Sequence, residues 1–519
     1  MQHKSITTTK KTPNWLALGG WILLSLCLLL FTSESSPLYW LNSWVDANAY
    51  FTVGKGAAHG LVPYRDLFEQ KGPLLYFLHT LAYWVSHRTF FGVYLAEAIS
   101  LGVTLWLAQR TLRLFMRPLW ADCLTFLMPV FLMWMPYFRE GDSAEEFAFP
   151  FIMSLLYVLF WAGHTQQWPI RRMLVLEGIS FAAVIWIKYS LVGSWIGFYL
   201  VLGCAMLFKR EWLQLGKTIL DSLAGMLIVT LPILLYFGLN HALHSLFGVY
   251  FKFNMTIYAN STSLVGRLSE SLQLFWNSFL LQPVFGVLMG LAVLAILLTR
   301  FVFPTAYGKW LFSMAFLCCG LLAFYGGKAF DYYHLILFPY AIAGLIVLGI
   351  GLEKLPPVSQ WGSWVLWLVS LILAVVWLGN VNQNYQESKL FPHNSSISAA
   401  PAQPLKPAQL VFAQYLKQYP HATLLNYDQL DLGLYTTADI LPTTRYFENQ
   451  NVPVKRYPAI MRTQNRLVRD RKVDFVVTRT YGNPVAVDYP LVAKNYEVVQ
   501  AHAQYNQDVH YIYWLLKKK

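Results

Sequence analysis

The stretch WVDANAYFTVGKGAAHGLVPYRDLFEQKGP (44–73) holds the residue types in this chain that are best suited to chemistry. It places the carboxylates Asp46, Asp66 and Glu69 in the same short segment as the cations Arg65 and Lys71, although apolar runs border it on both sides. A carboxylate can accept a proton from an attacking hydroxyl, and a fixed cation can stabilise a group that gains negative charge. The segment therefore allows proton transfer and anion binding.

The chain around this stretch has the composition of an integral membrane protein. Of its 519 residues, 56% are hydrophobic and only 13% are charged, whereas a soluble domain usually has about 25% charged residues. Apolar runs recur from 15 to 379, and several reach the roughly 20 residues that a membrane span needs. The net charge is +13, but many of the Lys and Arg residues lie in short loops between apolar runs and they are not gathered into one basic face, so we expect a lipid bilayer and no nucleic acid as partner.

The charges between the apolar runs predict about eleven transmembrane helices. Three lysines precede the first run, and basic breaks such as 110–117 then alternate with acidic ones such as 140–146. Because positive loops favour the cytoplasm, we expect a multi-pass protein of the cell membrane with a cytoplasmic N-terminus. The segment 73–87 is apolar but short, and counting it as a span would invert the downstream loops. We therefore predict that it lies at, or dips into, the outer interface.

The composition changes after residue 379, and this divides the chain. Residues 1–379 are predicted to form the transmembrane domain, with its first outer loop at 33–89, and 380–405 a linker rich in Asn, Ser, Ala and Pro. In 406–519, the segments ATLLNY, DFVVTRTY and YEVVQAHAQY favour strands. The expected fold class is thus a polytopic α-helical membrane protein with juxtamembrane helices and a small C-terminal extracytoplasmic α/β domain.

The predicted inner loops are unsuited to nucleotide chemistry. They are short and poor in acids, and they contain no phosphate-binding glycine motif. The five cysteines lie in or beside apolar runs without metal-ligand spacing. We therefore expect chemistry on the outer side, without a nucleotide.

The stretch 44–73 resembles the first outer loop of GT-C glycosyltransferases. The resemblance is to bacterial members of the protein O-mannosyltransferase and aminoarabinose-transferase superfamily (family 39-type) in particular. That loop reads approximately D-E-x-x-Y … P-Y-x-x-K-P-P-L-x-Y, and the matching residues here are Asp46, Tyr50, Lys71, Pro73, Leu74 and Tyr76. Ala47 and Gly72 depart from the pattern. Three later segments resemble the family in the same order: YFREGDSAEEFAFPF, KAFDYYHLILFPY and the start of the outer domain at LLNYDQLDLGLY.

The resemblance implies an inverting transfer of a sugar from a polyprenyl-phosphate donor to an envelope glycopolymer, glycolipid or protein. The implied catalytic residues are Asp46, as general base or acceptor-orienting group, with Glu145 and Glu146. The implied ligands of the donor phosphate are Lys71, Arg65 and Arg139. The implied substrate-binding residues are Tyr50, Tyr64, Tyr76, Lys188, Tyr333 and His334. Some GT-C enzymes use a divalent cation, but nothing in the sequence indicates a cofactor, and no metal ligand is assigned.

Structural interpretations of these residues stay open. Asp46 could cap a helix, Lys71 could extend from the interface, and the pair Glu145–Glu146 could complement a helix dipole. Glu97 lies deeper and is expected to pair inside the bundle. A transporter or flippase, a non-catalytic binder of lipid-linked glycans, and a two-carboxylate hydrolase are the alternative functions.

Overall fold

The computed structural model describes residues 14–259, 263–391, 406–482, 484, 486–506 and 509–519. Over these residues the chain is mainly helical. The α-helices are α1 Asn14–Thr32, α2 Val45–Ala58, α3 Pro73–Val85, α4 Phe91–Leu112, α5 Pro118–Thr125, α6 Met128–Leu132, α7 Ala144–Thr165, α8 Arg171–Lys188, α9 Gly193–Phe208, α10 Trp212–Leu239, α11 Leu243–Leu246, α12 Leu264–Leu281, α13 Pro283–Leu298, α14 Ala306–Phe324, α15 Ala341–Leu352, α16 Gln360–Val381, α17 Ala408–Leu416, α18 Leu434–Thr437, α19 Ala459–Arg469 and α20 Pro490–Asn495. A π-helical segment covers Phe247–Tyr258, and 3-10 turns cover Tyr189–Leu191, Asp331–Tyr340 and Asn384–Glu387.

Eight helices among the described residues are long and apolar enough to cross a membrane: Trp15–Thr32, Phe91–Leu112, Ala144–Thr165, Arg171–Leu191, Trp212–Leu239, Ala306–Phe324, Asp331–Leu352 and Gln360–Val381. A ninth is added if α12 and α13, which meet at 108°, count as one broken span. The sequence predicts about eleven, and the difference lies in two shorter apolar stretches, Pro118–Leu132 and Gly193–Phe208. The first is also divided between α5 and α6, with a proline in the first turn of α6.

The first outer loop forms two short helices joined by an irregular segment. α2 begins directly after Trp44, whose backbone is extended, and carries Asp46 in its first turn. α3 begins at Pro73, because the fixed φ of proline suits the first turn of a helix. With 13 residues, α3 is shorter than the roughly 20 residues of a span, and its place at the outer interface stays a prediction.

The C-terminal part contains one four-stranded sheet in the order β1-β2-β4-β3. The strands are β1 Leu424–Asn426, β2 Phe475–Tyr481, β3 Tyr496–Asn506 and β4 Val509–Lys518. β1 pairs parallel with β2, while β4 pairs antiparallel with both β2 and β3. The three strands predicted from the sequence are present, and β4, which was not predicted, joins β2 to β3.

The sheet domain is docked onto α2 of the transmembrane domain. The Thr52 hydroxyl donates to Asp431 at 2.6 Å, and the Lys55 ammonium lies 2.6 Å from an Asp439 carboxylate oxygen. The Lys55 side chain is only 1% exposed, so the ion pair is buried on one side. The C-terminal domain therefore rests on the helix that carries Asp46.

The predicted linker, 380–405, lies only partly within the described residues. Its first residues pack against the bundle, because buried Asn382 and Asn384 donate to main-chain carbonyls of the transmembrane domain. Residues 392–405 lie outside the described residues, and the proposed domain bounds stay predictions.

Candidate functional site

A cavity of about 300 Å³ lies between the end of α8, the π-helical segment, the start of α12 and the end of α14. Of the described residues that line it, none is acidic and four are cationic: Lys71, Lys188, Arg267 and Lys328. Five tyrosines form much of the remaining wall: Tyr189, Tyr250, Tyr258, Tyr325 and Tyr333. A recess lined by charges of one sign concentrates ligands of the opposite sign. The cavity is therefore suited to an anionic group.

Asp46 lies beside this cavity and is paired with Lys71. The Lys71 ammonium and the hydroxyls of Tyr50 and Tyr332 all donate to the same oxygen, Asp46 Oδ2, at 3.2 Å each. Within the described part of the chain, Oδ1 accepts no hydrogen bond. Burial disfavours both charges of the pair, but their attraction outweighs it, so the pKa of Asp46 is lowered and that of Lys71 is raised. Both groups are therefore ionised at neutral pH.

The main chain of Lys71 is fixed by two buried tyrosines and a glutamate. Glu69 Oε2 accepts from the N–H of Lys71 at 2.8 Å and also from the Tyr76 hydroxyl. The Tyr64 hydroxyl donates to the Lys71 carbonyl at 2.6 Å. Tyr64 and Tyr76 thus position the lysine, and their predicted contact with substrate stays a prediction.

Gly72 brings Lys71 against the end of α8. Its N–H donates to the carbonyl of Ile187 at 2.9 Å, and a Cβ atom at this position would lie 2.0 Å from the Trp186 carbonyl oxygen. A side chain cannot fit there without displacing main chain. The departure from the family pattern at Gly72 therefore has a local reason, which is the contact of this loop with the segment that carries Lys188.

Lys188 forms the second ion pair of the site, with Glu145. Its ammonium lies 2.5 Å from Glu145 Oε1 and 3.4 Å from the centre of the Tyr333 ring. Glu145 Oε2 is buried without a hydrogen-bond partner. Tyr332 joins the two pairs, because its hydroxyl bonds Asp46 while its ring faces Lys188 at 5.4 Å. Glu145 is not among the described lining residues of the cavity, so it acts on the site through Lys188.

Two cations of the cavity, Arg267 and Lys328, were not predicted from the sequence. Arg267 lies in the first turns of α12, and Lys328 follows α14. Neither forms a salt bridge with a carboxylate among the residues described, and Arg267 Nε is buried without a hydrogen-bond partner. Both occur at breaks assigned to the outer side, where lysine and arginine are disfavoured. That exception was the signal that could have identified them.

The structure does not bring the two predicted phosphate-binding arginines to the cavity. Arg65 is partly exposed and donates twice to neighbouring Asp66, and its third contact is the Asn240 carbonyl. Arg139 has a positive φ of 57° and lies 3.7 Å from Glu140. Each arginine is held by the acid that follows it in the sequence. Neither arginine is among the described lining residues of the cavity, and their assignment as phosphate ligands stays a prediction.

Glu146 and His334 also face other partners than the cavity. Glu146 Oε2 and Glu97 Oε1 both accept from the N–H of Asp142, at 2.9 and 2.8 Å, and Ser33 donates to Glu97. His334 is hydrogen-bonded to a serine of α12 at 2.6 Å. Glu97 thus forms its hydrogen bonds inside the bundle. The predicted catalytic role of Glu146 and substrate-binding role of His334 stay predictions.

No group of three or more His, Cys, Asp or Glu side chains that could hold a metal ion occurs in the described ranges. The expectation that the protein needs no cofactor stays a prediction.

The helical bundle, its loop helices and the appended sheet domain share the fold of solved ArnT structures, which confirms the fold class expected from the resemblance. The chain is similar to ArnT from Cupriavidus metallidurans bound to undecaprenyl phosphate, with 12% identity and a TM-score of 0.59 over 96% of this chain and 97% of that one. For the apo state of the same ArnT, the sequence identity is 11% and the TM-score 0.56, over the same fractions of the two chains. For a cryo-EM structure of the arabinofuranosyltransferase AftD from Mycobacteria, the sequence identity is 14% and the TM-score 0.50, over 98% of this chain and 42% of that one.

No protein-family model and no curated protein matches the sequence. At 11–14% identity, the structural likeness establishes the fold and leaves the donor, the acceptor and the role of each residue to be argued from the site.

Proposed function

We propose that this protein is an inverting glycosyltransferase that moves a sugar from a polyprenyl-phosphate donor to an acceptor hydroxyl on the extracytoplasmic face of the membrane. The observation that carries the proposal is the cavity with four cations and no acid among its described lining residues, next to an ionised carboxylate. The ArnT structure that shares this fold is bound to undecaprenyl phosphate, which supports a lipid phosphate as the anion.

Asp46 acts as the general base in this proposal. Its Oδ2 is occupied by Lys71 and two tyrosines, so Oδ1 is the oxygen that takes the acceptor proton. The acceptor oxygen forms the bond to the anomeric carbon, the bond from that carbon to the phosphate oxygen breaks, and the phosphate leaves with the electron pair. The proton passes to Asp46, and no other reactant is needed.

Lys71 links the two halves of this reaction, because it contacts Asp46 and also lines the cavity. When the donor phosphate shares the ammonium, Asp46 loses part of its counter-charge. The pKa of Asp46 then rises from its lowered value, which makes the carboxylate a stronger base once the donor is in place. Arg267 and Lys328, which have no described carboxylate partner, bind the phosphate from the other walls.

The acceptor is an envelope glycopolymer, glycolipid or protein, and the N-terminus is cytoplasmic with the sheet domain outside. The site and the sheet domain share one side of the bundle, since Lys55 and Thr52 of α2 contact that domain directly. Glu145 acts on the site through its ion pair with Lys188, which lines the cavity.

The test uses the purified full-length protein and a panel of radiolabelled polyprenyl-phosphate sugars. Release of polyprenyl phosphate and transfer of label to an envelope extract are measured for wild type, Asp46→Asn and Lys71→Ala, with Lys417→Gln, an exposed lysine of the sheet domain, as control. We expect Asp46→Asn to lose at least a hundredfold in turnover while it still binds the donor, and Lys71→Ala to lose donor binding. Tight binding of a donor without turnover by wild type would instead favour a flippase or a non-catalytic binder.

A further inference from the structure

α19 of the sheet domain has one buried and one strongly basic face. Its buried side chains are Ile460, Gln464 and Val468. Its exposed side chains include Arg462, Arg466 and Arg469. Spacings of four and three residues place these arginines in one stripe along the helix, roughly 5–6 Å apart. None of the three forms a salt bridge with a described carboxylate.

Further basic residues flank both ends of the helix in the sequence. We call the following residues the basic band: Lys455, Arg456, Arg462, Arg466, Arg469, Arg471 and Lys472. Asp470 is the one acid between residues 455 and 472. The band thus carries seven positive charges against one negative charge, and its helical part, from Arg462 to Arg469, extends about 10 Å.

One end of the basic band touches the cavity wall. Arg456 donates to the carbonyls of Ala259 and Thr256 at 2.9 and 3.3 Å, and Ala259 lines the cavity. Burial and then the like charge of Arg456 lower the pKa of Lys328 on that wall. The segment that leads into α19 therefore touches the cavity wall at Arg456.

The exposed face of α19 is suited to an aqueous polyanion more than to a bilayer. A helix that lies in a membrane interface presents Trp, Phe or Leu beside its bases, whereas no large apolar side chain of α19 is exposed. Repeated cations in one line match an extended molecule with repeated anionic groups.

We propose that the basic band binds an acceptor that carries several phosphate or carboxylate groups, an anionic glycopolymer, and holds it beside the cavity. This inference rests on the proposed function, because it names the acceptor class of the same site. Ionic contacts along the band raise the local concentration of acceptor hydroxyls near Asp46, and added salt weakens them.

The experiment measures binding of fluorescent linear polyphosphate, neutral dextran and anionic lipid vesicles to the detergent-purified full-length protein. The variant is R462Q/R466Q/R469Q, and the control is R172Q/R210Q/K217Q, which removes three exposed cations from the predicted cytoplasmic ends of the bundle. We expect the variant to bind polyphosphate about tenfold more weakly, the sum of three exposed ion pairs of ordinary strength. The control should bind as wild type does, and dextran should not bind.

Equal polyphosphate binding by variant and wild type, or binding of vesicles in place of polyphosphate, would overturn the inference. Its failure is separable from failure of the proposed function. Donor binding depends on Lys71 and should be unchanged in the triple variant, while Lys71→Ala should still bind polyphosphate. A protein that fails with every donor yet binds polyphosphate through the band would overturn the transferase and leave the binding surface.

Discussion

Gly72→Ala tests whether the contact between the first outer loop and α8 assembles the site. The backbone of Gly72, at φ −76° and ψ 149°, is allowed for alanine, so the variant carries no backbone strain. The added Cβ, however, would lie 2.0 Å from the Trp186 carbonyl oxygen and 2.5 Å from its carbonyl carbon. Main-chain atoms must move apart by more than 1 Å to reach ordinary contact. Overpacking of this kind costs about 1–3 kcal/mol.

That cost corresponds to about a 5- to 150-fold change in an equilibrium constant. We expect it to appear as weaker donor binding, because the movement separates Lys71 from Lys188, together with a lower unfolding temperature. Isothermal titration with a polyprenyl phosphate and thermal unfolding in detergent measure the two effects. Gly216→Ala is the control, since a Cβ there meets nothing within 4 Å and alanine favours a helix by about 1 kcal/mol. Donor affinity equal to wild type in Gly72→Ala would refute the argument that this contact places Lys71.

Three further variants test the charges of the site and the docking of the sheet domain. Lys71→Met leaves Asp46 buried without its counter-charge, so the pKa of Asp46 should rise above its value in the unfolded chain. The variant should therefore be less stable than wild type at pH 7, and this difference should shrink as the pH falls. A difference in thermal unfolding that is independent of pH between about 4 and 8 would contradict this. Lys188→Met should lower the free energy of unfolding by about 3–5 kcal/mol, because it leaves the buried charge of Glu145 unpaired. Glu145→Gln/Lys188→Met should lower it by less, because no buried charge remains unpaired. Losses in denaturant unfolding that add up in the double variant would argue against the ion pair. Lys55→Met should expose residues 406–482 to limited proteolysis while the bundle stays folded; an unchanged digestion pattern would mean that this ion pair does not hold the domain.

Sequence patterns could predict those residues of the site that lie in a motif. They predicted the direction in which each side chain points much less well. Asp46, Lys71 and Lys188 were chosen from the sequence, and the structure brings all three together. Glu145 and Glu146 were equivalent in the sequence. Adjacent residues of a helix point about 100° apart, so only one of the two can face Lys188, and the rotation of α7 that decides this depends on packing across the bundle.

Arg65 and Arg267 illustrate the opposite limits of local reasoning. Arg65 is within the matching loop, but in the structure its guanidinium donates two hydrogen bonds to the neighbouring Asp66. Arg267 is outside every recognised segment and lines the cavity because α12 starts there. The topology shows a similar division: hydropathy located the apolar stretches, whereas the breaks within two of them, at the start of α6 and between α12 and α13, depend on local backbone geometry.

The charge balance of the cavity explains how the proposed reaction could be driven at its chemical step. Lys71 and Lys188 each have a carboxylate partner, whereas Arg267 and Lys328 form no salt bridge with a described carboxylate. The cavity thus holds about two uncompensated positive charges before any ligand binds. A donor phosphodiester brings one negative charge, and the phosphate monoester that leaves carries about −1.5 to −2 at neutral pH. The surplus positive charge is therefore complementary to the leaving group as it develops, and interactions that strengthen towards the transition state are the ones that accelerate a reaction.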